Sequence, residues 1–416
     1  MVLLVILDLV TDYSVTKYHG KDAMAESTKE RIIQAAFSFY KVLNFDRVSL
    51  SQIAGRVGIS KAAIFKHFKN KEALSQEMNN RLCESMIEML KPVFYLFEQN
   101  KPGEAISRII KYLLMHREYL GYLLSMSMMF NENFIVTEFR RRGVTIFDNI
   151  IDDDGSIIDK QRYLFMEFIG NTIIYFTIKR LHDGDYNKEN LIPLEEFCDS
   201  VCFFIENGIA SNDSSVDLDK LVLIDNICSE KIKTIKPVNK MVKVIAGIVD
   251  NVGLAGLNVE KIAGALGMAK SSLYSSFENK VDMISTLIEN EFETLRDLIV
   301  SNISQLDSSY EKLYAIMQTE FCYFKERPEF MMIFRNLLMN RTLQEKFENK
   351  KEDECWSVFL KNFFAEDSFT ESVLLWILVL PVMIYGSFLK RGLENDVVQD
   401  SVKEVFLMME FGVKKK

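Results

Sequence analysis

Lys61, Lys66 and His67 fall within seven residues, with Ala62 and Ala63 between them. Such a group is a short basic face, of the kind that enters a DNA major groove, where lysines bond to phosphate oxygens or base edges. Other chemistry is missing from the sequence around it. There is no Ser–His–Asp signature, no Gly-rich phosphate loop and no metal-spaced cluster. The four histidines are scattered at positions 19, 67, 116 and 182. The expectation is a binding protein, not an enzyme, with no cofactor and no metal site.

The elements that would carry this face can be read locally. Ser49 and Gln52 have the capping-box spacing that starts a helix. Ile53, Ala54 and Val57 continue it, and Gly58 stops it in a tight turn. Ser60 can cap a second short helix, with Ile64, Phe65 and Phe68 on its apolar side. Two short helices around a Gly-containing turn make a helix-turn-helix. Upstream, Ser27 and Glu30 form another capping box, and Ile32 to Tyr40 supplies a bracing helix. Downstream, Asn70 caps a further helix with Lys71 in its first turn.

The stretch occurs twice. Ile53 to Lys71 reads IAGRVGISKAAIFKHFKNK, and Ile262 to Lys280, 209 positions on, reads IAGALGMAKSSLYSSFENK. Ile53, Ala54, Gly55, Gly58, Lys61, Phe68, Asn70 and Lys71 recur without a gap. A period this long means duplicated domains, since solenoid repeats run to about 50 residues at most. The junctions His116-Arg117-Glu118-Tyr119 and Glu326-Arg327-Pro328-Glu329 also correspond, so the duplication is expected to span the whole chain.

A bracing helix, an IAxxxGIS-type turn, an aromatic-x-x-Phe pattern and Asn-Lys-Glu together resemble the tetracycline-repressor (TetR) family of bacterial transcription regulators. The resemblance covers Ser27 to Leu74 and, less fully, Lys240 to Ile284. It implies an all-α fold, two TetR-like units in tandem, each a helix-turn-helix head on a helical regulatory domain. By position it implies groove-facing Lys61, Ala62, Ala63 and Lys66, and Lys270, Ser271, Ser272 and Ser275. It implies phosphate contacts from Ser49, His67 and Lys71, and from Asn258, Tyr274, Ser276 and Lys280. Two departures stand out. The usual phosphate-binding Tyr is Phe65 in the first copy, and the second copy has Ala269 at the cap and serines in place of Lys66 and His67.

Composition fits this reading. The chain has 416 residues, of which 48% are hydrophobic, including 31 Phe and 20 Met, against only 18 Gly and 6 Pro. That length exceeds one core, and the apolar periodicity is helical. The net charge is −9, yet residues 27–80 hold nine Lys or Arg against four Asp or Glu. Residues 236–289 hold six against five. A basic head on an acidic body steers the head toward phosphate. The six cysteines have no secretory context, so reduced thiols in a cytoplasmic protein are expected. Cys198 and Cys202 read as buried small hydrophobes.

The expected organisation is a tail over 1–25, head 1 over 26–81, a regulatory and dimerisation-like domain over 82–210 and a linker over 211–236. Head 2 follows over 237–290, and a second regulatory domain over 291–416. Residues 1–23 read as an upstream extension or disordered tail, with Met24 a more natural start. Pro92 and Pro102-Gly103 are read as breaks. Helices are expected over Ala105–Arg117, Glu118–Phe130, Phe134–Ile151, Gln161–Leu181 and Pro193–Ile209. In the second half they are expected over Ile284–Ile303, Tyr310–Lys325, Pro328–Met339, Leu343–Phe364, Glu371–Lys390 and Val397–Phe411. Val373 to Leu389 is almost long enough to span a membrane, but Pro381 interrupts it, and a buried interface is expected instead.

The family binds DNA operators as two-fold dimers and responds to ligands in an apolar cavity. The resemblance therefore implies a double-stranded DNA operator as partner and a single-chain pseudo-dimer, or a homodimer of chains with four heads. It also implies an apolar small-molecule ligand. Met115, Tyr122, Met126, Met129 and Phe130 could line a cavity in the first half, and Tyr323, Met331 and Phe334 in the second. Glu167 and Glu320 lie within apolar runs and could answer a cationic ligand. The alternative function is a ligand-sensing or adaptor protein in which one or both heads no longer bind DNA.

Overall fold

The computed structural model describes residues 27–40, 48–129, 134–186, 191–209, 216–252, 257–331, 333, 371–390 and 395–413. The N-terminal extension, Phe130, Phe334 and the helix expected over Leu343–Phe364 lie outside them. The described residues are helical, with no strand and one isolated bridge between Ile151 and Ile157. The fold is all-α.

In chain order the first helices are α1 (Thr28–Phe37), α2 (Leu50–Val57), α3 (Lys61–Ile64), α4 (Lys71–Glu98), α5 (Pro102–Met115), α6 (Arg117–Met129) and α7 (Phe134–Arg141). Then come α8 (Lys160–Tyr186), α9 (Leu194–Asn207), α10 (Leu218–Lys231), α11 (Lys240–Val252), α12 (Val259–Leu266) and α13 (Lys270–Tyr274). The last are α14 (Lys280–Ile303), α15 (Ser309–Glu326), α16 (Glu371–Lys390) and α17 (Asn395–Phe411).

Two expectations about this order fail. Helix α4 runs through Pro92 to Glu98. A mid-helix proline costs about 3 kcal/mol, but Val93 beside it is buried and holds the helix to its neighbours. The helix expected over Phe134–Ile151 stops at Arg141. Gly143 there takes a left-handed φ of 73°. Arg140 then ties down the turn, bonding the Asp148 carboxylate at 2.6 Å and the carbonyls of Ile151 and Asp152. Over α16, Pro381 lies inside a continuous helix. No helix among the described residues is long and apolar enough to cross a membrane.

The chain forms two compact units, and they are not its two sequence halves. The first unit is Met1–Tyr163 with Arg180–Cys202, and the second is Leu164–Lys179 with Phe203–Lys416. Parts of α8 and α9 thus belong with the second half of the chain.

In the first unit, the core of head 1 is closed by Ile32, Ile33, Ile53, Ile64, Phe68 and Leu74, and it continues through Met78 and Leu82 to Tyr122 of α6. The Tyr122 hydroxyl donates to Asn79 Oδ1 at 2.5 Å, fastening α6 to the helix that carries the head. The corresponding joint in the second unit is ionic. Arg327 Nη1 bonds Glu291 Oε2 at 2.6 Å, and the Tyr323 hydroxyl donates to the same oxygen at 2.7 Å. Arg327 also donates to the carbonyl of Lys236, just before α11. Removing one partner of such a buried pair strands the other charge, at a cost of roughly 3–5 kcal/mol.

Within the second unit, segments from both sequence halves meet around Trp376, which is fully buried. The rings of Phe204 and Phe168 lie 5.0 and 5.9 Å from it. Beyond that cluster the backbones cross. Ile209 N–H donates to the Met409 carbonyl at 3.0 Å, and Val413 N–H donates to the Ile205 carbonyl at 3.0 Å. The two bonds are the same bond, with each residue replaced by its counterpart 204 positions away, as the numbers 205, 209, 409 and 413 show. Gly208 and Gly412 both have φ of 69°. A Cβ on Gly208 would sit 2.4 Å from the Glu410 carbonyl oxygen, and one on Gly412 would sit 2.3 Å from Glu206. Only glycine permits so close an approach at a positive φ. Reciprocal contacts of this kind define a local two-fold relation.

Candidate nucleic-acid interface

In head 1 the expected caps form. Ser49 Oγ accepts from Gln52 N–H at 3.2 Å, and Gln52 Oε1 accepts from Ser49 N–H at 2.8 Å. Ser49 also donates its hydroxyl to Gln52 Oε1 at 2.7 Å, so its primary role is structural. Ser27 Oγ caps Glu30 N–H at 3.2 Å. The Glu30 carboxylate does not close that box; it pairs with Arg81 on α4 and so ties α1 to the connecting helix. Gly58 makes the turn at φ 78°, and Ser60 starts α3 by accepting from Ala63 N–H at 3.1 Å. Arg31 Nη2 donates to the Val57 carbonyl at 2.8 Å, which clamps the last turn of α2 to α1. Arg56 lies 4.2 Å from the centre of the Phe39 ring and bonds Ser38 Oγ at 2.6 Å.

With this frame, Lys61, Ala62, Lys66, His67 and Lys71 are all exposed, and Ala63 is half-buried. None of the four charged or imidazole groups is drawn into an ion pair with another described residue. Phe65 stands 47% exposed beside them. A large apolar ring held out in water next to free ammonium groups suits contact with sugar edges or thymine methyls as well as phosphate.

Head 2 repeats the geometry. Asn258 Oδ1 caps Lys261 N–H at 2.8 Å, and Gly267 turns the chain at φ 68°. Ala269 provides no side-chain cap for α13. Ser271, Ser272, Tyr274, Ser275 and Ser276 are exposed. Phe277 is only half-buried, where Phe68 in head 1 is buried. The two lysines expected to contact DNA in this head, Lys270 and Lys280, both have partners within the protein. Lys270 is bonded to the Glu260 carboxylate of α12, and its ammonium lies 5.8 Å from the centre of the Tyr274 ring. That hydrogen bond holds the Lys270 ammonium above the ordinary lysine range and Glu260 below the carboxylate range. Lys280 donates to the Leu257 carbonyl at 2.9 Å. The residue corresponding to Glu260 in head 1 is Ser51. Glu260 was not singled out from sequence because its partner is ten positions away on another helix; aligning the two copies at that position exposes it.

The residues expected to wall a ligand cavity are dispersed. Met115 is 70% exposed and so cannot enclose anything. Tyr122 belongs to the head 1 core, with Met126 packed against it. Tyr323 is buried and committed to Glu291. Met331 is buried. The side chain of Met129, like Phe130 and Phe334, lies outside the described residues. Glu167 accepts from the Asn171 amide at 3.0 Å. Cys198 and Cys202 are both buried, and Cys202 donates weakly to the Gly103 carbonyl at 3.4 Å.

Residues 32–78 match the family described as bacterial regulatory proteins, tetR family. The match covers head 1 from α1 into α4. The chain therefore carries a tetR-family DNA-binding domain, and this supports a DNA-binding transcriptional regulator.

Proposed function

We propose that the protein is a ligand-responsive transcriptional regulator, most simply a repressor, whose single chain acts as a pseudo-dimer on an imperfect palindrome. Head 1 supplies most of the affinity. The observation that carries the DNA-binding reading is the exposed set Lys61, Lys66 and Lys71, without an ion pair among the described residues, on a fully capped helix-turn-helix. The reciprocal backbone bonds at Gly208 and Gly412 support the pseudo-dimer, because two-fold dimers are built from contacts of that form. Two heads related by a two-fold would address successive major grooves, roughly 34–36 Å apart.

The test is a gel-shift series on the DNA upstream of the protein's own coding region, at rising salt. A protein that neutralises phosphates releases their counterions, so its affinity falls steeply as salt rises, with a slope of about −0.9 per phosphate contact. Binding indifferent to salt would defeat the reading.

A second reading has its own observation. Lys270 is paired with Glu260 and Lys280 is hydrogen-bonded to a backbone carbonyl, which favours a head 2 that does not itself read DNA. A single protected half-site would decide for it.

A further inference from the structure

Helices α15, α16 and α17 surround a small, partly open cavity of about 20 Å³ within the second unit. Its walls include Phe321, Phe324, Tyr385 and Phe388, together with Glu320 and Ser401. Glu320 is 2% exposed, and its Oε2 has no hydrogen-bond partner among the described residues. A carboxyl group left unsatisfied in an apolar wall is costly, and such groups concentrate where a ligand completes them.

The cavity limits what that ligand can be. A water molecule fits the space but needs two to four polar partners to be held there, and the lining is overwhelmingly apolar. A carboxylate ligand would find no cationic side chain among the described lining residues to receive it. A cation meets the carboxylate and the faces of the aromatic rings together. The space admits one ammonium-sized head; any apolar tail must leave through the open side. Among the described residues, no Lys or Arg lines the cavity to compete for the carboxylate. Lys325 lies over the Phe321 ring, 5.8 Å from its centre, and is not in the lining.

We infer that this cavity is the seat of a lipophilic primary amine, whose ammonium head is held by Glu320 and whose tail runs out past the aromatic rim. The inference deepens the ligand-responsive part of the proposed function and rests on it for its role. The binding itself is measured without DNA.

The proton balance follows from the surroundings of Glu320. Burial alone holds its carboxyl well above the usual range, which favours the protonated form in the empty site. Tyr385 on α16 is the other ionisable group in the lining, itself pushed up by burial, and α17 contributes none. On α10, packed on α15, Asp225 is committed to Tyr314 at 2.7 Å and Cys228 to Thr319 at 3.5 Å. On α14, also packed on α15, Glu291 is committed to Arg327 and Tyr323. Lys325 and Glu326 close the end of α15. A protonated amine entering the site therefore displaces the Glu320 proton to solvent, leaving a carboxylate–ammonium pair.

The experiment is titration calorimetry of the full chain near neutral pH, in two buffers of different protonation heat, with n-hexylamine, n-hexanol and hexanoate as probes. The expected result is saturable binding of hexylamine with release of about one proton. Hexanol should bind roughly tenfold more weakly or worse, and hexanoate not at all. Glu320→Gln and Glu320→Leu each remove a stranded acid, so both should melt no lower than the wild type while losing the preference for amine over alcohol. Equal binding of amine and alcohol, a preference for hexanoate, retention of the amine preference in both variants, or no binding of hexylamine would each overturn the assignment. Gel shifts of the unliganded protein test the regulator reading separately, so the failure of one is not mistaken for the failure of the other.

Discussion

At position 51 the first head carries serine, and at the corresponding position 260 the second carries glutamate. The backbone does not register the change: both turns are made by a left-handed glycine, at φ 78° and 68°. The side chains do. Lys61 is exposed with no ionic partner among the described residues, whereas Lys270 is bound to Glu260. One acid, placed one helix away, gives an exposed lysine a partner on the surface that would meet phosphate. The crossing of Gly208 and Gly412 is the opposite case. There the two sequence halves agree bond for bond, with a glycine in each and paired 3.0 Å hydrogen bonds. A shared contact constrains both halves equally, and a tip that faces solvent is free to diverge.

The largest effects are expected where the halves agree. Gly208→Ala and Gly412→Ala each force a Cβ into the opposite backbone at a positive φ. Each should destabilise the protein by roughly 2–5 kcal/mol in chemical denaturation. The symmetry predicts similar losses, and a large inequality between them would break it. Glu410, beside this crossing, has its carboxyl pushed up to about 7 by burial. Its folded value lies above its ordinary 4.5, so its contribution is fully present below that pH and is lost as pH rises toward about 7. Glu410→Gln should flatten the fall in melting temperature across that window.

Next come the tips. Lys61→Ala, Lys66→Ala and Lys71→Ala combined should lower the salt slope of DNA binding by about three and cut affinity on the order of a hundredfold. Lys270→Ala and Lys280→Ala combined should change little, and an equal loss would erase the contrast between heads. Glu260→Ser gives head 2 the residue that head 1 carries. It should steepen the salt slope by about one. The smallest expected change is Ala269→Ser, which restores a cap worth about 1 kcal/mol of local helix stability, to be read by hydrogen exchange in α13.

The parts legible in the sequence are those decided locally. Ser49 with Gln52, Ser60, Asn70 and the two turn glycines act on backbone atoms three or four residues away, and their spacing shows it. Features set by distant partners were not legible. Pro92 reads as a break because local preference says so, and the burial of Val93 overrides it. The chain past Arg141 reads as helix because it is apolar at helical spacing, and the bonds from Arg140 to two carbonyls end it instead. The site was half legible: the basic face of head 1 follows from residue types, but the capture of Lys270 and Lys280 requires knowing which helix stands opposite. Glu320 shows the same divide, since its place in an apolar run is visible and its burial without a partner is not.

The central claim is that one chain brings two unequal heads to one operator. A hydroxyl-radical footprint at one chain per duplex, recorded at increasing salt, tests it directly. The account predicts two protected patches one helical turn apart, with one fading well before the other as salt rises. Two patches that fade together, or no protection in either groove, would contradict it.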